Sequence, residues 1–287
     1  MQKQYSRIGQ AALIVVLLLL SVTILYPVLH VLAVSFSNNN NNVVRGEVGV
    51  LPIRPNLDAY RYMFRYNLLG SGFKNSLFVL MVGTGINLLM TMITAYPLAR
   101  RSLIGRKLFM LMITFTMMFS GGLIPNYIII VKLGLVDSLW SLILPGCISA
   151  YNMIIMKNFF EALPGELNEA ARIDGLSELG ILFRIIVPLS LPSLCTIGLF
   201  YAVGHWNAYF YATIYLNSRN RWPLQVVLRN LLENAVTSEI DYGESASLPV
   251  EPLKMAVVVF TTAPIVILYP FIQKYFVRGA LVGSIKG

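Results

Sequence analysis

The stretch EAARIDGLSELGILFRIIVP, residues 169–188, places charged residues and glycines between two long apolar runs. It belongs to a wider block, residues 161–184, which holds seven charged side chains and is called the coupling segment below. Each charge would cost about 2.5–3.5 kcal/mol at the centre of a bilayer, so burying all seven in lipid would cost roughly 17–25 kcal/mol. The coupling segment therefore lies outside any membrane that the flanking runs cross.

The composition indicates an all-α integral membrane protein. Of 287 residues, 56% are hydrophobic and only 12% are charged, whereas about 25% charged residues is usual in a soluble domain. A membrane-spanning helix needs about 20 mostly apolar residues. Such stretches predict six transmembrane helices, at residues 11–34, 77–98, 108–131, 138–160, 185–216 and 253–277.

Two of the six predicted spans contain residues that interrupt helices. The third carries Gly121, Gly122 and Pro125. The fifth carries Pro188 and Pro192, with two further glycines. We expect kinks or breaks in both, because irregular backbone at membrane depth is tolerated where it faces protein or a water-filled cavity.

The distribution of Lys and Arg predicts the orientation. Four cations crowd the short connection ARRSLIGRK, residues 99–107, called the basic connection below. Cations close to span ends favour the cytoplasmic side, so both termini and the coupling segment, between spans 4 and 5, are expected to be cytoplasmic in a multi-pass protein of the cell membrane. The first run, about 24 residues long, exceeds the 7–15 of a signal-peptide core and is interpreted as an anchor. The net charge of +9 is thus mostly a topology signal and does not indicate nucleic-acid binding.

Local signals predict a helix, a turn and a second helix within the coupling segment. Pro164 suits a first helical turn, and the acids that follow favour the positive end of a helix. Gly175 can end this helix in the left-handed conformation, and Ser177 can cap the next one. Ala170 and Ala171 are small enough to let another surface approach closely. A solvated connection without a partner is the alternative.

The coupling segment resembles the EAA loop of permease subunits in binding-protein-dependent ABC importers. The matching pattern is EAA at 169–171, then Gly175, Ile185 and Val187-Pro188, with Val187 where the family usually has Leu. The stretches NSLFVLMVGTGINLLMTMITAYPLARR, FSGGLIPNYIIIVKLGLVDS and QKYFVRGALVGSIKG are similar to the maltose-type carbohydrate branch, closest to permeases of complex oligosaccharide importers. The resemblance covers about residues 70–287.

This resemblance implies a type I importer permease, with residues 1–287 forming one transmembrane domain and a core at about 70–280. Its expected partners are a second permease subunit, identical or different, two cytoplasmic ATPase subunits, an extracellular solute-binding protein and a carbohydrate. The EAA loop would dock onto an ATPase, and the C-terminal tail at 283–287 would lie near the ATPases. The positions that match the docking motif are Glu169, Ala170, Ala171, Asp174 and Gly175.

The sequence offers no enzyme chemistry of its own. A phosphate-binding P-loop needs a Gly-Lys pair, and this sequence has none, so ATP hydrolysis is assigned to a partner. His30 and His205 belong to no metal-binding pattern and are interpreted as structural. Cys147 and Cys195 fall in apolar runs and act as small hydrophobic residues. We expect neither a cofactor nor a metal.

The stretch FYAVGHWNAYFYATIYLN, residues 200–217, is the best candidate for a carbohydrate path. Aromatic faces stack on pyranose rings, and amide and hydroxyl groups bind sugar hydroxyls. Asn207 and Tyr211 are four apart, a spacing that places two residues on one helix face. The predicted substrate-path residues are Trp206, Asn207, Tyr211, Tyr151 and Asn152. The alternative is an interfacial aromatic belt.

The sequence also supports expectations about the two long outer loops. The first loop contains a five-Asn run at 38–42 and is expected to be solvated, and the second is expected to hold an amphipathic helix near 224–232. Both could touch a binding protein.

An ABC permease for peptides or ions also carries an EAA loop and remains the main alternative. A secondary transporter would not need the seven-charge block, and a membrane enzyme would need acids or histidines converging inside the spans.

Overall fold

The computed structural model describes residues 7–37, 48–242 and 250–284, and this part of the chain is mostly α-helical. In chain order the α-helices are α1 (Arg7–Ser35), α2 (Asp58–Phe64), α3 (Leu69–Ala99), α4 (Arg106–Met118), α5 (Leu123–Lys132), α6 (Ala150–Glu161), α7 (Glu166–Ile173), α8 (Glu178–Ile181), α9 (Val187–Leu189), α10 (Leu191–Trp206), α11 (Phe210–Tyr215), α12 (Leu224–Tyr242) and α13 (Val250–Ser284). Short 3-10 helices lie at Leu139–Leu142 and Arg219–Arg221, and a π-helix lies at Leu182–Ile186.

The helices that can cross a membrane differ in part from the six predicted spans. Three are long and apolar enough without interruption, at Gly9–Ser35, Leu69–Ala99 and Val250–Pro270. Two further spans arise if each of two sharply bent helix pairs is counted as one, which gives up to five within the described residues. Both bent pairs fall in the predicted third and fifth spans, where interruptions were expected.

The third predicted span bends at its glycines. Helices α4 and α5 meet at 112° across a four-residue break. Gly122 adopts φ 83° and ψ 173° in that break, a conformation that essentially only glycine reaches. The bend therefore depends on the residue type at this position.

The fifth predicted span breaks between its two prolines. The helical stretch ending at Leu189 meets α10 at 87°. Pro188 and Pro192 have no backbone N–H to continue the helical hydrogen bonds, and the break falls at Ser190 between them. A second break follows, because α10 ends at Trp206 and α11 begins at Phe210.

The fourth predicted span, 138–160, is not one helix. It consists of a 3-10 turn, an irregular stretch containing Pro145 and Gly146, and the twelve-residue helix α6. The Ser149 hydroxyl caps the start of α6 by accepting a hydrogen bond from the backbone N–H of Asn152 at 3.4 Å. Hydropathy over the whole run concealed the break, because the residues around the Pro-Gly pair are apolar.

The described residues group into two compact units. The first comprises residues up to Leu69 together with Leu228–Pro264, and the second comprises Gly70–Val227 and the residues from Ile265 onward. In the first unit, Ala33, Val34 and Val48 form a buried cluster with Ile53 and Met255 packed on it. The main core of the second unit is built from α3, α6, the coupling segment and α10.

The outer loops yield one confirmed element and one missed element. Helix α12 begins at Leu224, where the amphipathic helix was predicted, and it extends further than expected, to Tyr242. Helix α2 was not predicted, because its seven residues lie in a polar, turn-rich stretch. The five-Asn run lies outside the described residues.

Candidate functional site

A cavity of about 420 Å³ lies in the second unit, between the bent spans. It is lined by α5, the stretch around Pro145, the end of α10 and helix α11. None of the lining residues within the described chain is Asp, Glu, Lys or Arg. Its principal polar side chains are Asn126, Ser141, His205, Asn207, Tyr211 and Tyr215. A cavity of this composition can bind neutral hydroxyl groups and apolar ring faces.

Three tyrosines form a continuous aromatic stack beside this cavity. The rings of Tyr211 and Tyr215 have centroids 5.7 Å apart at an interplanar angle of 20°. The rings of Tyr127 and Tyr215 are 6.2 Å apart at 26°. Tyr215 is buried whereas Tyr211 is 51% exposed, so the stack presents an anchored ring face at the cavity.

His205 is held in one orientation at the cavity wall. Its Nε2 donates to the Asn87 Oδ1 atom at 2.8 Å, since an amide oxygen can only accept. The Asn87 amide nitrogen in turn donates to the Gly146 carbonyl at 2.6 Å. A Cβ atom at Gly83 would lie 2.5 Å from His205 Nε2, so this glycine leaves room for the ring. His205 is thus structurally engaged, as predicted, and it also lines the cavity.

The predicted substrate-path residues do not all reach this cavity. Asn207 and Tyr211 line it, but on different elements, because α10 ends before Asn207 and Tyr211 lies in α11. The same-face explanation of their spacing was therefore wrong. Trp206 is 5% exposed and packs edge-on against Phe73 with ring centroids 6.3 Å apart.

Tyr151 and Asn152 also lie outside the residues that line the cavity. Tyr151 is 58% exposed and Asn152 is 6% exposed. Both are in the first turn of α6. Sequence reasoning missed three of the residues that do line the cavity, Asn126, Ser141 and Tyr215. An amide directly after Pro125, four residues beyond Gly122, was the available signal for Asn126.

Helix α7 lies within the coupling segment and is shorter than its signals suggested. Its eight residues begin after Gly165, two positions beyond Pro164. Gly175 ends the turn with φ 78°, and the Ser177 hydroxyl accepts a hydrogen bond from the Gly180 amide at 3.2 Å. The predicted helix-turn-helix, with its left-handed glycine and its serine cap, is confirmed.

The two alanines of the motif face opposite environments. Ala171 is 2% exposed and belongs to the core of its own chain. Ala170 is exposed, as are Glu169, Asp174 and Gly175. Ala171 therefore fixes the coupling segment to its own subunit, and Ala170 leaves a small residue on the outer face.

Two large apolar side chains on the coupling segment are strongly exposed. Ile173 is 87% exposed and Leu179 is 61% exposed. The sequence pattern did not single out either residue. Exposed apolar residues beside charged ones are a feature of protein interaction surfaces.

The coupling segment is also tied to the basic connection by ion pairs. Glu178 pairs with Arg100 and, at 3.0 Å, with Arg172. Glu161 pairs with Lys157 and, at 2.9 Å, with Arg106. Hydrogen bonding to the Lys157 ammonium lowers the pKa of the Glu161 carboxyl, with Arg106 adding to the effect.

A separate carboxylate organises the chain after α11. Asp137 accepts hydrogen bonds from the Ser218 hydroxyl at 2.5 Å and from the amides of Ser218 and Asn217 at 2.8 and 3.0 Å. Arg221 pairs with the same carboxylate at 3.3 Å. These bonds, led by that of the Ser218 hydroxyl, lower the pKa of Asp137.

The described residues hold no group of three or more His, Cys, Asp or Glu side chains that could bind a metal ion. Cys147 and Cys195 are both partly buried.

Comparison with known proteins defines the class of this chain. The family model described as "Binding-protein-dependent transport system inner membrane component" matches residues 87–282. The chain belongs to this family. It is therefore a membrane-embedded transport subunit, with the type I importer permease fold.

Individual relatives extend the match over nearly the whole chain. The polygalacturonan/rhamnogalacturonan transport system permease protein YtcP of Bacillus subtilis is 45% identical over 94% of this chain and 96% of its own length. Protein LplC of the same organism is 44% identical over 93% of this chain and 90% of its own length. A solved structure described as a bacterial ABC transporter involved in the import of the acidic polysaccharide alginate has a chain that is 32% identical. It superposes with a TM-score of 0.84 and covers 95% of this chain and 99% of that chain.

Proposed function

We propose that this chain is the permease subunit of an ATP-driven importer and that it passes a carbohydrate through the cavity beside the tyrosine stack. The observation that carries the proposal is the lining itself. Among the described residues, ring faces lie there next to amide and hydroxyl groups and no lining side chain is Asp, Glu, Lys or Arg. Sugars present apolar ring faces and many neutral hydroxyls, and this lining is complementary to both. The saccharides in the names of the similar proteins support the same substrate class.

Within this cavity the residues have different roles. Tyr211 stacks on a sugar ring. Tyr215 packs on the Tyr211 ring and holds that ring in place. Asn207 and Asn126 exchange hydrogen bonds with sugar hydroxyls. Ser141 can only accept one, because its hydroxyl donates to the Ser138 carbonyl. His205 offers its Nδ1 atom as an acceptor, because Asn87 fixes the proton on Nε2.

The carbohydrate path is tested by uptake of labelled oligosaccharide into proteoliposomes that contain the whole transporter. Replacing Tyr211 by Ala should lower uptake efficiency about tenfold, which corresponds to about 1.4 kcal/mol. Tyr151→Ala is the matched control, since Tyr151 is similarly exposed, at 58% against 51% for Tyr211, but does not line the cavity. Equal uptake by the two variants would exclude sugar binding by the tyrosine stack. Competition by a peptide, but by no oligosaccharide, would favour the alternative substrate class.

The exposed face of the coupling segment is the proposed docking surface for a cytoplasmic ATPase. Glu169 and Asp174 supply charge for pairing with cations of the ATPase. Ala170 permits close approach, and Gly175 sets the turn. Ile173 adds an apolar anchor that would otherwise stay in water. Ala171 acts from inside, because it packs in the core of its own subunit.

The ATPase-docking role is tested by affinity purification of the assembled complex. Glu169→Lys should abolish recovery of the ATPase or its substrate-stimulated hydrolysis, because the change reverses a charge on the docking face. Gly175→Pro should do the same, since proline cannot adopt a positive φ. ATP-driven uptake at the unmodified rate by both variants would refute the docking role.

The remaining partners follow from the same class of transporter. A second permease subunit completes the path, and a solute-binding protein delivers the sugar from outside. Both termini lie in the cytoplasm in this proposal, and the ATPase subunits hydrolyse the ATP.

A further inference from the structure

The basic connection, residues 99–107, does more than mark the cytoplasmic side. Three of its four cations form ion pairs with carboxylates of the coupling segment. These pairs are Arg100 with Glu178, Arg101 with Glu161, and Arg106 with Glu161. Glu161 is the first residue of the coupling segment and Glu178 begins its second helix, so the connection holds the segment at two separate points.

The contact at Glu178 joins three elements. Arg100 follows directly after α3, and its guanidinium also bonds the Tyr96 hydroxyl. The Tyr96 hydroxyl lies 3.3 Å from Glu178 and 3.4 Å from the Asn168 side chain. Tyr96 is 7% exposed, so this hydroxyl is a buried anchor between α3, α7 and α8.

The contact at Glu161 joins the start of the coupling segment to α4. Arg106, the first residue of α4, donates from its guanidinium to Glu161 at 2.9 Å. The same guanidinium donates to the Leu98 carbonyl at 2.8 Å, which links α3 to α4. Lys157, 8% exposed, is a third cation paired with Glu161, beside Arg101 and Arg106.

Apolar packing beneath these ion pairs makes the arrangement stiff. Ala171 and Ile181, from the two helices of the coupling segment, share one buried cluster with Ala95 and Leu98 of α3. Along the backbone the coupling segment continues only into α6 and α9. Its attachment to α3 and α4 therefore depends on side-chain contacts.

We propose that the Arg100–Glu178 and Arg106–Glu161 pairs transmit displacement of the coupling segment to α3 and α4. The inference rests on the proposed docking of the coupling segment to an ATPase. The four residues of these pairs are positioning residues. They make the coupling segment, α3 and α4 move together. Without them the ATPase still binds, but its stroke reaches α3 only through the apolar cluster, so less of the displacement is transmitted.

The test compares ATP hydrolysis with sugar uptake in proteoliposomes that hold the complete transporter. In Arg100→Gln and Glu178→Gln, uptake per ATP should fall about fivefold or more, the lower end of typical coupling between sites. The ATPase should still co-purify. The double variant should be no worse than either single variant, because both changes remove the same interaction.

Matched variants separate this coupling role from general effects of charge and folding. Lys107→Gln removes a cation of the same connection that forms no ion pair among the described residues, so its coupling should equal that of the unmodified protein. Tyr96→Phe keeps the buried ring and removes only the bridging hydroxyl, and it should lower uptake per ATP while the complex remains assembled.

Two outcomes would overturn the inference. One is unmodified uptake per ATP in both Arg100→Gln and Glu178→Gln. The other is a loss in Lys107→Gln as large as in those variants. Failure of the proposed function looks different, because the unmodified chain would then not bind an ATPase or would take up sugar without ATP.

Discussion

Gly175 carries the turn of the coupling segment through its backbone conformation. Its φ of 78° lies in the left-handed region, which costs an ordinary L-residue about 1–2 kcal/mol. No atom lies within 4 Å of a Cβ placed there. The need for glycine is therefore conformational and does not come from crowding.

Replacing Gly175 by Ala should destabilise the turn by about 1–2 kcal/mol and reduce ATPase docking. Gly165→Ala is the matched control, because Gly165 also has open space but adopts φ −61°. Thermal unfolding and ATPase recovery of the two purified complexes give the comparison. If the two variants behave alike, the left-handed turn is not the requirement.

The lowered pKa of Asp137 predicts that the stability of the protein depends on pH. Its native pKa lies below the usual value of 3.8 because the Ser218 hydroxyl and neighbouring donors stabilise the carboxylate. A lowered native pKa means that the unfolded chain binds the proton more readily, so the stabilisation is present above about pH 4 and is lost as the pH falls through the native pKa.

Asp137→Asn should therefore lower the free energy of unfolding by about 1–3 kcal/mol near neutral pH. The difference between variant and unmodified protein should shrink as the pH drops below 4. Melting curves between pH 3 and pH 7 would show it. A difference that stays constant over this range would mean that the carboxylate charge does not matter.

At the scale of elements, the bend between α4 and α5 positions the cavity wall. Asn126 lies in the first turn of α5 and reaches the cavity because α5 turns away from α4 by 112°. A straight span would carry this amide elsewhere.

Gly122→Ala should oppose the bend and lower sugar uptake, since its φ and ψ are a glycine conformation that costs other residues about 1–3 kcal/mol. The adjacent Gly121→Ala is the control, as Gly121 has no positive φ and open space around it. Uptake and thermal stability should change in the first variant only. A larger loss in Gly121→Ala would place the critical bend elsewhere.

At the scale of the whole molecule, the orientation of the chain in the membrane can be tested by cysteine labelling. If the coupling segment is cytoplasmic, the loop after α11 lies outside. In a Cys147→Ala/Cys195→Ala background expressed without the ATPase subunits, a membrane-impermeant maleimide should label Asn220→Cys in intact cells and Ile173→Cys only in inverted vesicles. Both positions are exposed, so access differs only by the side of the membrane. The opposite labelling pattern would reverse the topology.

Much of the fold was predictable because the signals are local. Apolar length predicted α1, α3 and α13, and Gly175 and Ser177 predicted the turn and cap of the coupling segment. The breaks in the third and fifth spans followed from glycine and proline. The continuous helix expected over 138–160 was wrong, because a hydropathy sum ignores whether the backbone within it stays helical.

The sequence by itself determined that the chain is a membrane protein with a charged segment held outside the bilayer, because hydropathy and charge act residue by residue. Only the tertiary structure decided that Asn126, Tyr215 and Asn207 share a cavity, that Ala171 faces inward, and that the basic connection pairs with Glu161 and Glu178. These arrangements join residues far apart in the chain. Their distances depend on the bends and on packing between helices, which no local pattern encodes.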